Sequence, residues 1–253
     1  MTQTDRRIYL IRQLISEKPE YASVAVPDGE AEQKTLLRGL MNLRPPRPIS
    51  EDFLAVQDEY LREETARKGV TDIKDLTPAE PGIYLWLGDI TTLKCGAIVN
   101  AANSGLTGCY IPCHGCIDNA IHTNAGVELR LECARIMSAQ GHEEPTGSAK
   151  LTPAYNLPCD YVLHTVGPII TGHVTYEDRE LLASCYRSCL ELARQNNITS
   201  VAFCCISTGE FHFPNDLAAK IAVDTVRKYR GDTEVIFNVF KSVDHELYRE
   251  LLG

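Results

Sequence analysis

The feature that most constrains the fold is an alternation of short apolar runs with amphipathic stretches, which starts near residue 80 and continues to the end of the chain. The apolar runs have the length of strands and lie at residues 83–87, 97–99, 161–166, 201–206 and 235–240. Apolar side chains recur at helical spacing between or after them, at residues 118–137, 181–192, 218–229 and from 244 onward. Strands that alternate with helices predict a three-layer α/β/α sandwich.

The first 75 residues show a helical pattern instead. Apolar side chains form three stripes at helical spacing, within residues 8–15, 36–43 and 53–61. A proline-rich stretch at residues 44–48 separates the last two stripes, because a helix cannot continue through these prolines. We expect residues 1–75 to form an N-terminal helical extension, without a catalytic motif of its own, that packs on a main domain at residues 76–253.

Charge and cysteine content narrow the classes of partner and compartment. The net charge of −9 argues against nonspecific nucleic-acid binding, which depends on basic patches. No apolar run reaches the ~18 residues that a membrane span needs, and the amino terminus lacks the pattern of a signal peptide. We therefore expect a cytoplasmic protein without membrane or nucleic-acid partners, whose ten cysteines serve packing, catalysis or metal binding rather than disulfides.

The sharpest local feature is a cluster of four metal-capable residues within eight positions, namely Cys109, Cys113, His114 and Cys116. One interpretation is a redox dithiol of Cys113 and Cys116 ahead of a helix, whose N-terminus would lower the pKa of a thiol. The other is a zinc site with three protein ligands and an open fourth position, as in catalytic zinc sites. The position of the cluster after two strands, together with the additional Cys109 and His114, modestly favours the metal.

Polar residues follow several of the predicted strands. Asp89 follows the first strand, Asn103 ends an Asn-Ala-Ala-Asn run after the second, and a Ser-Thr-Gly turn at residues 207–209 follows a later one. Ligands of open α/β sheets bind beyond the carboxyl ends of the strands. A glycine turn can curl its N–H groups around a diphosphate, although each of these runs taken alone is equally consistent with an ordinary turn. Neither a P-loop nor a G-x-G-x-x-G motif is present.

Taken together, these motifs resemble the macrodomain family. The similarity lies in stretches that occur in the family's order, at residues 88–90, 98–104, 118–126, 161–168 and 206–209. It extends over about residues 80–253. The resemblance implies a macrodomain sandwich with a mixed central sheet and a binding site for ADP-ribose.

The chain departs from common macrodomains just before Asp118, where the cysteine–histidine cluster replaces a glycine-rich run. With the helical extension, this departure is similar to the zinc-dependent subgroup of microbial protein-ADP-ribose hydrolases. That resemblance implies a Zn²⁺ cofactor bound by Cys109, His114 and Cys116, with Cys113 as a free thiol beside the site. The subgroup is associated with sirtuin-like ADP-ribosyltransferases, and it removes ADP-ribose from the acidic Asp or Glu side chains of lipoyl carrier proteins.

The same resemblance assigns the contacts with the ligand. It places adenine against Asp89 and Ile90, with the Asp89 carboxylate accepting from the exocyclic amine. Asn103 and Asp118 are the expected catalytic pair, Asn103 as an orienter of the distal ribose and Asp118 as a base or a second orienter. The diphosphate and the distal ribose are expected to contact Asn103, Cys116, Ile117, Asp118, Ser207, Thr208, Gly209, Glu210 and Phe211.

Three other functions stay open at the level of the sequence. A reader would bind ADP-ribose without cleaving it, and another enzyme class would act on a small ADP-ribose derivative. A dithiol redox protein ranks below both. The metal cluster argues against a reader, because a reader gains little from an open zinc site. We expect a monomer that hydrolyses mono-ADP-ribose from a modified protein.

Overall fold

The computed structural model describes all residues from 1 to 253. Its helices are α1 (Gln3–Ser16), α2 (Glu30–Leu43), α3 (Glu51–Lys68), α4 (Ile117–Ala125), α5 (Val127–Gln140), α6 (Tyr176–Gln195), α7 (Asn215–Tyr229) and α8 (Ser242–Leu252). Its strands are β1 (Thr71–Asp72), β2 (Pro78–Glu80), β3 (Ile83–Leu87), β4 (Leu93–Lys94), β5 (Ala97–Ala102), β6 (Ala149–Pro153), β7 (Tyr161–Val166), β8 (Ser200–Phe203) and β9 (Glu234–Val239). None of the helices combines the length and the apolar character that a membrane span requires.

Seven strands form one mixed sheet in the order β2-β3-β9-β8-β5-β7-β6. The strands from β3 to β7 in this order are parallel to one another, while the edge strands β2 and β6 are antiparallel to their neighbours. Helices α6, α7 and α8 pack side by side, and α4 packs against α5 and β5. The predicted α/β sandwich with a mixed sheet is therefore confirmed. Because β3, β5 and β8 are parallel, the loops that follow them leave the sheet at the same edge.

The predicted helix over residues 118–137 is two helices in the structure. Helix α4 ends at Ala125 and α5 begins at Val127, because Gly126 between them has φ +99°, which L side chains rarely adopt. A Cβ at Gly126 would also lie 2.6 Å from the side-chain amide of Gln57 in α3. The prediction of one helix was wrong because the apolar periodicity continues across a break that a distant residue helps to set.

Several strand boundaries also differ from the prediction. The strand predicted at residues 201–206 ends at Phe203, so the residues after it belong to a loop. The strand predicted at residues 97–99 continues to Ala102, which places the fully buried Asn100 inside the sheet. Strand β6 was not predicted, and it extends the sheet by pairing with β7.

The first three helices form a layer of their own, as the three apolar stripes predict. Leu10, Leu37 and Phe53 belong to its hydrophobic cluster of ten buried residues, and Val127 of α5 is the one member from the sheet half. A separate cluster of 45 buried residues fills the space around the sheet. The helical layer therefore contacts the sheet half through Val127 and through polar residues. The predicted boundary near residue 75, between the helical extension and the main domain, stays a prediction.

Candidate active site

Asp89 lies in the turn after β3 and has a carboxylate that is only partly engaged. Its Oδ1 accepts from the N–H and the hydroxyl of Thr91, at 3.0 and 2.6 Å. Its Oδ2 lies 3.4 Å from the Lys68 ammonium of α3, and the side chain is 41% exposed. Burial pushes the pKa of Asp89 upward, but the bonds from Thr91 and the charge of Lys68 outweigh it and hold the pKa below its ordinary value. The ionised Oδ2 can therefore accept from a ligand amine.

Ile90 follows Asp89 but has its side chain in the main hydrophobic core. The residue is 2% exposed, so any contact between Ile90 and a ligand must come from its backbone. The turn is also held from the neighbouring strand, because Asn238 of β9 donates to the Gly88 carbonyl at 2.9 Å. The structure thus leaves a rigid backbone and one carboxylate at this end of the sheet.

The loop after β8 turns tightly and leaves backbone groups open. Ser207 has φ +64°, and its carbonyl accepts from the Phe213 N–H at 2.9 Å. Gly209 is exposed, and a Cβ built there would meet no atom within 4 Å. The Ser207 hydroxyl is buried without a hydrogen-bond partner against Gly167, where a Cβ would lie 2.0 Å from its Oγ. The loop has the open, tightly curved backbone that an anion-binding turn needs.

The remaining predicted residues of this loop lie around the same turn. The Thr208 hydroxyl donates to the Cys205 carbonyl at 3.0 Å, and the Phe211 carbonyl accepts from the Ile170 N–H at 2.9 Å. Glu210 is exposed, and its Oε1 lies 3.5 Å from Nε2 of His114. This contact brings the loop after β8 beside the cysteine–histidine cluster.

Asn103 at the end of β5 and Asp118 in the first turn of α4 lie side by side. Asn103 Nδ2 donates to the Gly108 carbonyl at 3.2 Å and to Asp118 Oδ2 at 3.4 Å. Asp118 Oδ1 accepts from Asn100 Nδ2 at 2.8 Å. Asn103 is exposed to solvent, whereas Asp118 is 5% exposed. Burial raises the pKa of Asp118 to about 6, against the lowering effect of the Asn100 hydrogen bond and the Arg130 charge.

A buried polar chain beneath Asp118 was missed in the sequence analysis. Asn100 Nδ2 lies 3.1 Å from His164 Nδ1, and His164 Nε2 lies 3.0 Å from the Thr152 hydroxyl. Because the amide nitrogen donates, His164 accepts at Nδ1 and carries its proton on Nε2. Burial lowers the pKa of His164 to about 3, so the ring is neutral. These hydrogen bonds fix the Asn100 amide that contacts Asp118. The only sequence signal for them was that Asn100 and His164 lie in macrodomain-like stretches.

The Cys109 thiol, the His114 imidazole and the Cys116 thiol meet in the loop between β5 and α4. Their ligand atoms all lie within 4.8 Å of one another, and Cys109 Sγ is 3.5 Å from His114 Nδ1. Cys116 is also the N-cap of α4, since its sulfur accepts from the Asn119 N–H at 3.4 Å, and Ile117 begins the helix half-buried beside it. Two thiols and an imidazole are donors that zinc prefers, so these half-buried residues fit a zinc ion with one open position.

Cys113 lies apart from this group. It has φ +54°, and its sulfur donates to the Thr35 carbonyl of α2 at 3.4 Å. Its thiol is not among the three ligand atoms that lie together in the loop. This arrangement disfavours the redox dithiol in which Cys113 pairs with Cys116.

A second group of metal-capable side chains, His122, Cys133 and His164, is buried in the core. Both ring nitrogens of His164 already face hydrogen-bond partners, and the Cys133 sulfur lies 3.8 Å from its Nε2. Burial also lowers the pKa of His122 well below its ordinary value. We therefore interpret this group as neutral core side chains, of which His164 supports Asn100.

Known proteins resemble this chain in both sequence and fold. The Macro domain family matches residues 99–222. The chain is 57% identical over its full length to the whole of a protein-ADP-ribose hydrolase from Treponema medium. It is 50% identical to a protein of the same name from Staphylococcus aureus, over 96% of this chain and 93% of that protein.

Two solved macrodomain structures have the same fold. The Trypanosoma brucei macrodomain in complex with ADP-ribose has a TM-score of 0.66 and 32% identity, over 85% of this chain and 95% of that one. The Oceanobacillus iheyensis macrodomain with ADP has a TM-score of 0.62 and 36% identity, over 67% of this chain and 89% of that one.

Proposed function

We propose a function for this chain, which belongs to the macrodomain family. It would be a Zn²⁺-dependent hydrolase that removes mono-ADP-ribose from acidic side chains of a modified protein. Relatives named protein-ADP-ribose hydrolase, at 57% and 50% identity, support hydrolysis of an ADP-ribose bond. The zinc dependence and the preference for Asp or Glu adducts go beyond those names and depend on the chemistry of the site.

One observation carries the proposal, namely that the cysteine–histidine cluster lies beside Asn103, Asp118 and the loop after β8. Asn103, next to Asp118, donates to Gly108 at the start of the cluster's loop. His114 lies 3.5 Å from Glu210 in the loop after β8. A reader needs the adenine and diphosphate contacts alone, whereas charge stabilisation at the reacting end serves a transition state. The location of the cluster therefore favours hydrolysis over binding alone.

Cys109, His114 and Cys116 would hold the zinc ion. When bound, zinc supplies a Lewis acid or lowers the pKa of a bound water to ~7. Cys109, His114 and Cys116 are each only half-buried, so a fourth coordination position would be open to substrate or water, as in catalytic rather than structural zinc sites.

The residues at the strand ends would bind the nucleotide. Asp89 Oδ2 would accept from the exocyclic amine of adenine, and Ile90 would contribute its backbone because its side chain is buried. Residues 207–211 would surround the diphosphate with backbone N–H groups, a mode that needs no basic side chain and suits a chain of net charge −9. These contacts would be the same before and during the reaction, so they would set affinity rather than rate.

Asn103 and Asp118 would act at the distal ribose, bounded by Cys116 and Ile117 at the start of α4. The exposed amide of Asn103 can both donate to and accept from ribose hydroxyls. Oδ1 of Asp118 accepts from Asn100 at 2.8 Å, whereas Oδ2 has only the longer, 3.4 Å contact with Asn103. Oδ2 would therefore orient a hydroxyl or take a proton from water. Fixed orientation of the ribose would contribute to the rate.

The chemistry of an acidic adduct suits this arrangement. In such an adduct, the anomeric carbon of the ribose is bonded to a carboxylate oxygen of the protein. Hydrolysis adds water across that ester and releases ADP-ribose and a free carboxylic acid. A carboxylate leaves without prior protonation, so the site needs no strong general acid. The resemblance to the zinc-dependent subgroup makes a lipoyl carrier protein the proposed partner.

The proposal is tested by incubating the purified protein with a carrier protein ADP-ribosylated on Asp or Glu and measuring released ADP-ribose. We expect release, its loss after treatment with a chelator, and its return when Zn²⁺ is added back. A carrier modified on arginine, whose leaving group requires a proton, is the matched control and should stay modified. Tight ADP-ribose binding without release from any carrier would contradict the proposal and would indicate a reader.

A further inference from the structure

We propose that Arg38 of α2 is a positioning residue for the zinc ligands, so that the N-terminal helical layer holds residues 108–116 in a shape ready to bind metal. We call residues 108–116 the metal loop. The inference rests on the proposed zinc site, and it gives the helical layer a role in the chemistry of the sheet half.

The Arg38 guanidinium contacts the metal loop directly. Its Nη2 donates to the His114 carbonyl at 2.8 Å and to Asn119 Oδ1 at 2.7 Å. Its Nε donates to the same oxygen of Asn119 at 3.1 Å. A guanidinium presents its donors in a rigid fork, so one side chain fixes the peptide of His114 relative to the start of α4.

Asn119 extends this contact to a second zinc ligand. It is fully buried, and its N–H donates to Cys116 Sγ at 3.4 Å. Its Nδ2 donates to the Ile111 carbonyl in the middle of the metal loop at 3.0 Å. Without Arg38, Asn119 Oδ1 would be buried without a donor, which favours rearrangement of the side chain and of the loop that it holds.

Two further contacts join the metal loop to the same helix. Asn42 Oδ1 of α2 accepts from the Cys113 N–H at 2.9 Å. Arg130 of α5 donates to the Cys109 carbonyl at 3.3 Å and to the carbonyls of Met41 and Asn42 at the end of α2. Asn42 and Arg130 are both buried, so the side chains that make these bonds have little freedom to move. Helix α2 is therefore connected to the loop near each of its cysteines.

These contacts affect metal binding through the order of the loop. Metal binding to an unstructured loop includes the free energy of ordering it, whereas contacts that orient ligands beforehand reduce that term. Arg38 touches none of the three ligand atoms, so its effect passes through the loop backbone and Asn119. It should therefore change zinc affinity while leaving the nucleotide contacts at the strand ends unchanged.

The test is a titration in which a chromophoric chelator and the metal-free protein compete for Zn²⁺. Arg38→Ala should weaken zinc binding ~10–100-fold, the range typical of lost outer contacts to metal ligands. The zinc affinity of Arg38→Lys should lie between those of Arg38→Ala and the wild type, because one ammonium cannot reproduce the forked donors of a guanidinium. Lys34→Ala is the matched control, since Lys34 lies one turn earlier on α2 and pairs with Glu30 and Glu64 inside the helical layer. Its zinc affinity should equal that of the wild type.

Thermal unfolding separates positioning from folding. Metal-free Arg38→Ala should unfold at a lower temperature than metal-free Lys34→Ala, because Asn119 Oδ1 loses its donor. The rise in midpoint on adding Zn²⁺ to each variant is what reports positioning, and it should be smaller for Arg38→Ala than for Lys34→Ala. If the wild type binds zinc and both Arg38 variants bind it as tightly as the wild type does, the inference is overturned while the zinc site stands. If the wild type binds no zinc, the proposed zinc site fails and the inference fails with it. Should Arg38→Ala not fold, Arg38→Lys decides, because unchanged affinity there would overturn the inference.

Discussion

The loop after β8 and the metal loop lie beside each other, yet different parts of the chain hold them in place. The loop after β8 continues from a central parallel strand, and its Ser207 hydroxyl packs against Gly167, which follows β7 on the other side of β5. The metal loop instead bonds to Arg38 and Asn42 of the helical layer and to Arg130 of α5. Because the two loops are held by different parts of the chain, we expect substitutions to change nucleotide binding and metal positioning separately.

Cys116→Ser should have the largest effect, and most of that effect should come from the loss of metal. Elemental analysis should show zinc falling from about one ion per chain to almost none, because a serine hydroxyl is a poor zinc ligand. Hydrolysis should fall roughly a thousandfold, since charge stabilisation by a metal is worth several kcal/mol. Serine is also a good N-cap, so α4 and Asp118 should stay in place. A variant with full activity would remove zinc from the mechanism.

Asp89→Ala should act on the nucleotide side alone. Calorimetry should show ADP-ribose binding weakened by roughly 1–3 kcal/mol, the range for a lost hydrogen bond to a charged group, with zinc content unchanged. Asp89→Asn is the matched control for the turn, because its amide oxygen can still accept from Thr91 while its NH₂ group cannot accept from adenine. Unchanged affinity in both variants would exclude Asp89 from the adenine site.

The buried hydrogen bond between Asn100 and His164 predicts a smaller effect, on how the free energy of unfolding depends on pH. The pKa of His164 is about 3 in the folded protein. It is ~6.5 when unfolded, so below pH ~6.5 the unfolded state gains a proton that the folded state excludes. The stability that neutral His164 contributes is therefore fully present above pH ~6.5 and is lost as the pH falls towards 3. In metal-free protein, the free energy of unfolding should fall between pH 6 and 5 by up to about 1.4 kcal/mol more than in His164→Gln. Urea denaturation measures both slopes, and equal slopes would show that His164 is not held neutral.

Cys113→Ser should have the smallest effect, although Cys113 lies within the metal loop. Its sulfur faces the Thr35 carbonyl, and a serine hydroxyl can donate to the same oxygen. We expect zinc content and hydrolysis equal to those of the wild type, measured beside Cys116→Ser. Loss of zinc from Cys113→Ser would show that the ligand set is different.

The sequence predicted the strands of the sheet more completely than the contacts that hold the metal loop, because the sequence signals of a strand are local. The strands at residues 83–87 and 161–166 have the predicted bounds, since each is a short apolar run stopped by glycine. The bond from Arg38 to Asn119 spans 81 positions, and no periodicity or turn motif connects the two residues. The break at Gly126 was missed for the same reason, because Gln57 approaches it from another helix. The ligand contacts themselves stay predictions, supported by the geometry of residues that the strand ends bring together.

The separation of nucleotide binding from metal chemistry is tested most directly by measuring both in one chelated sample. Single-turnover release of ADP-ribose from a modified carrier and equilibrium affinity for free ADP-ribose are each compared before and after zinc removal. We expect release to fall by orders of magnitude and affinity to fall far less, because Asp89 and residues 207–211, the proposed nucleotide contacts, are not among the proposed zinc ligands. Equal losses of release and affinity would contradict this separation and would show that zinc only keeps the metal loop folded.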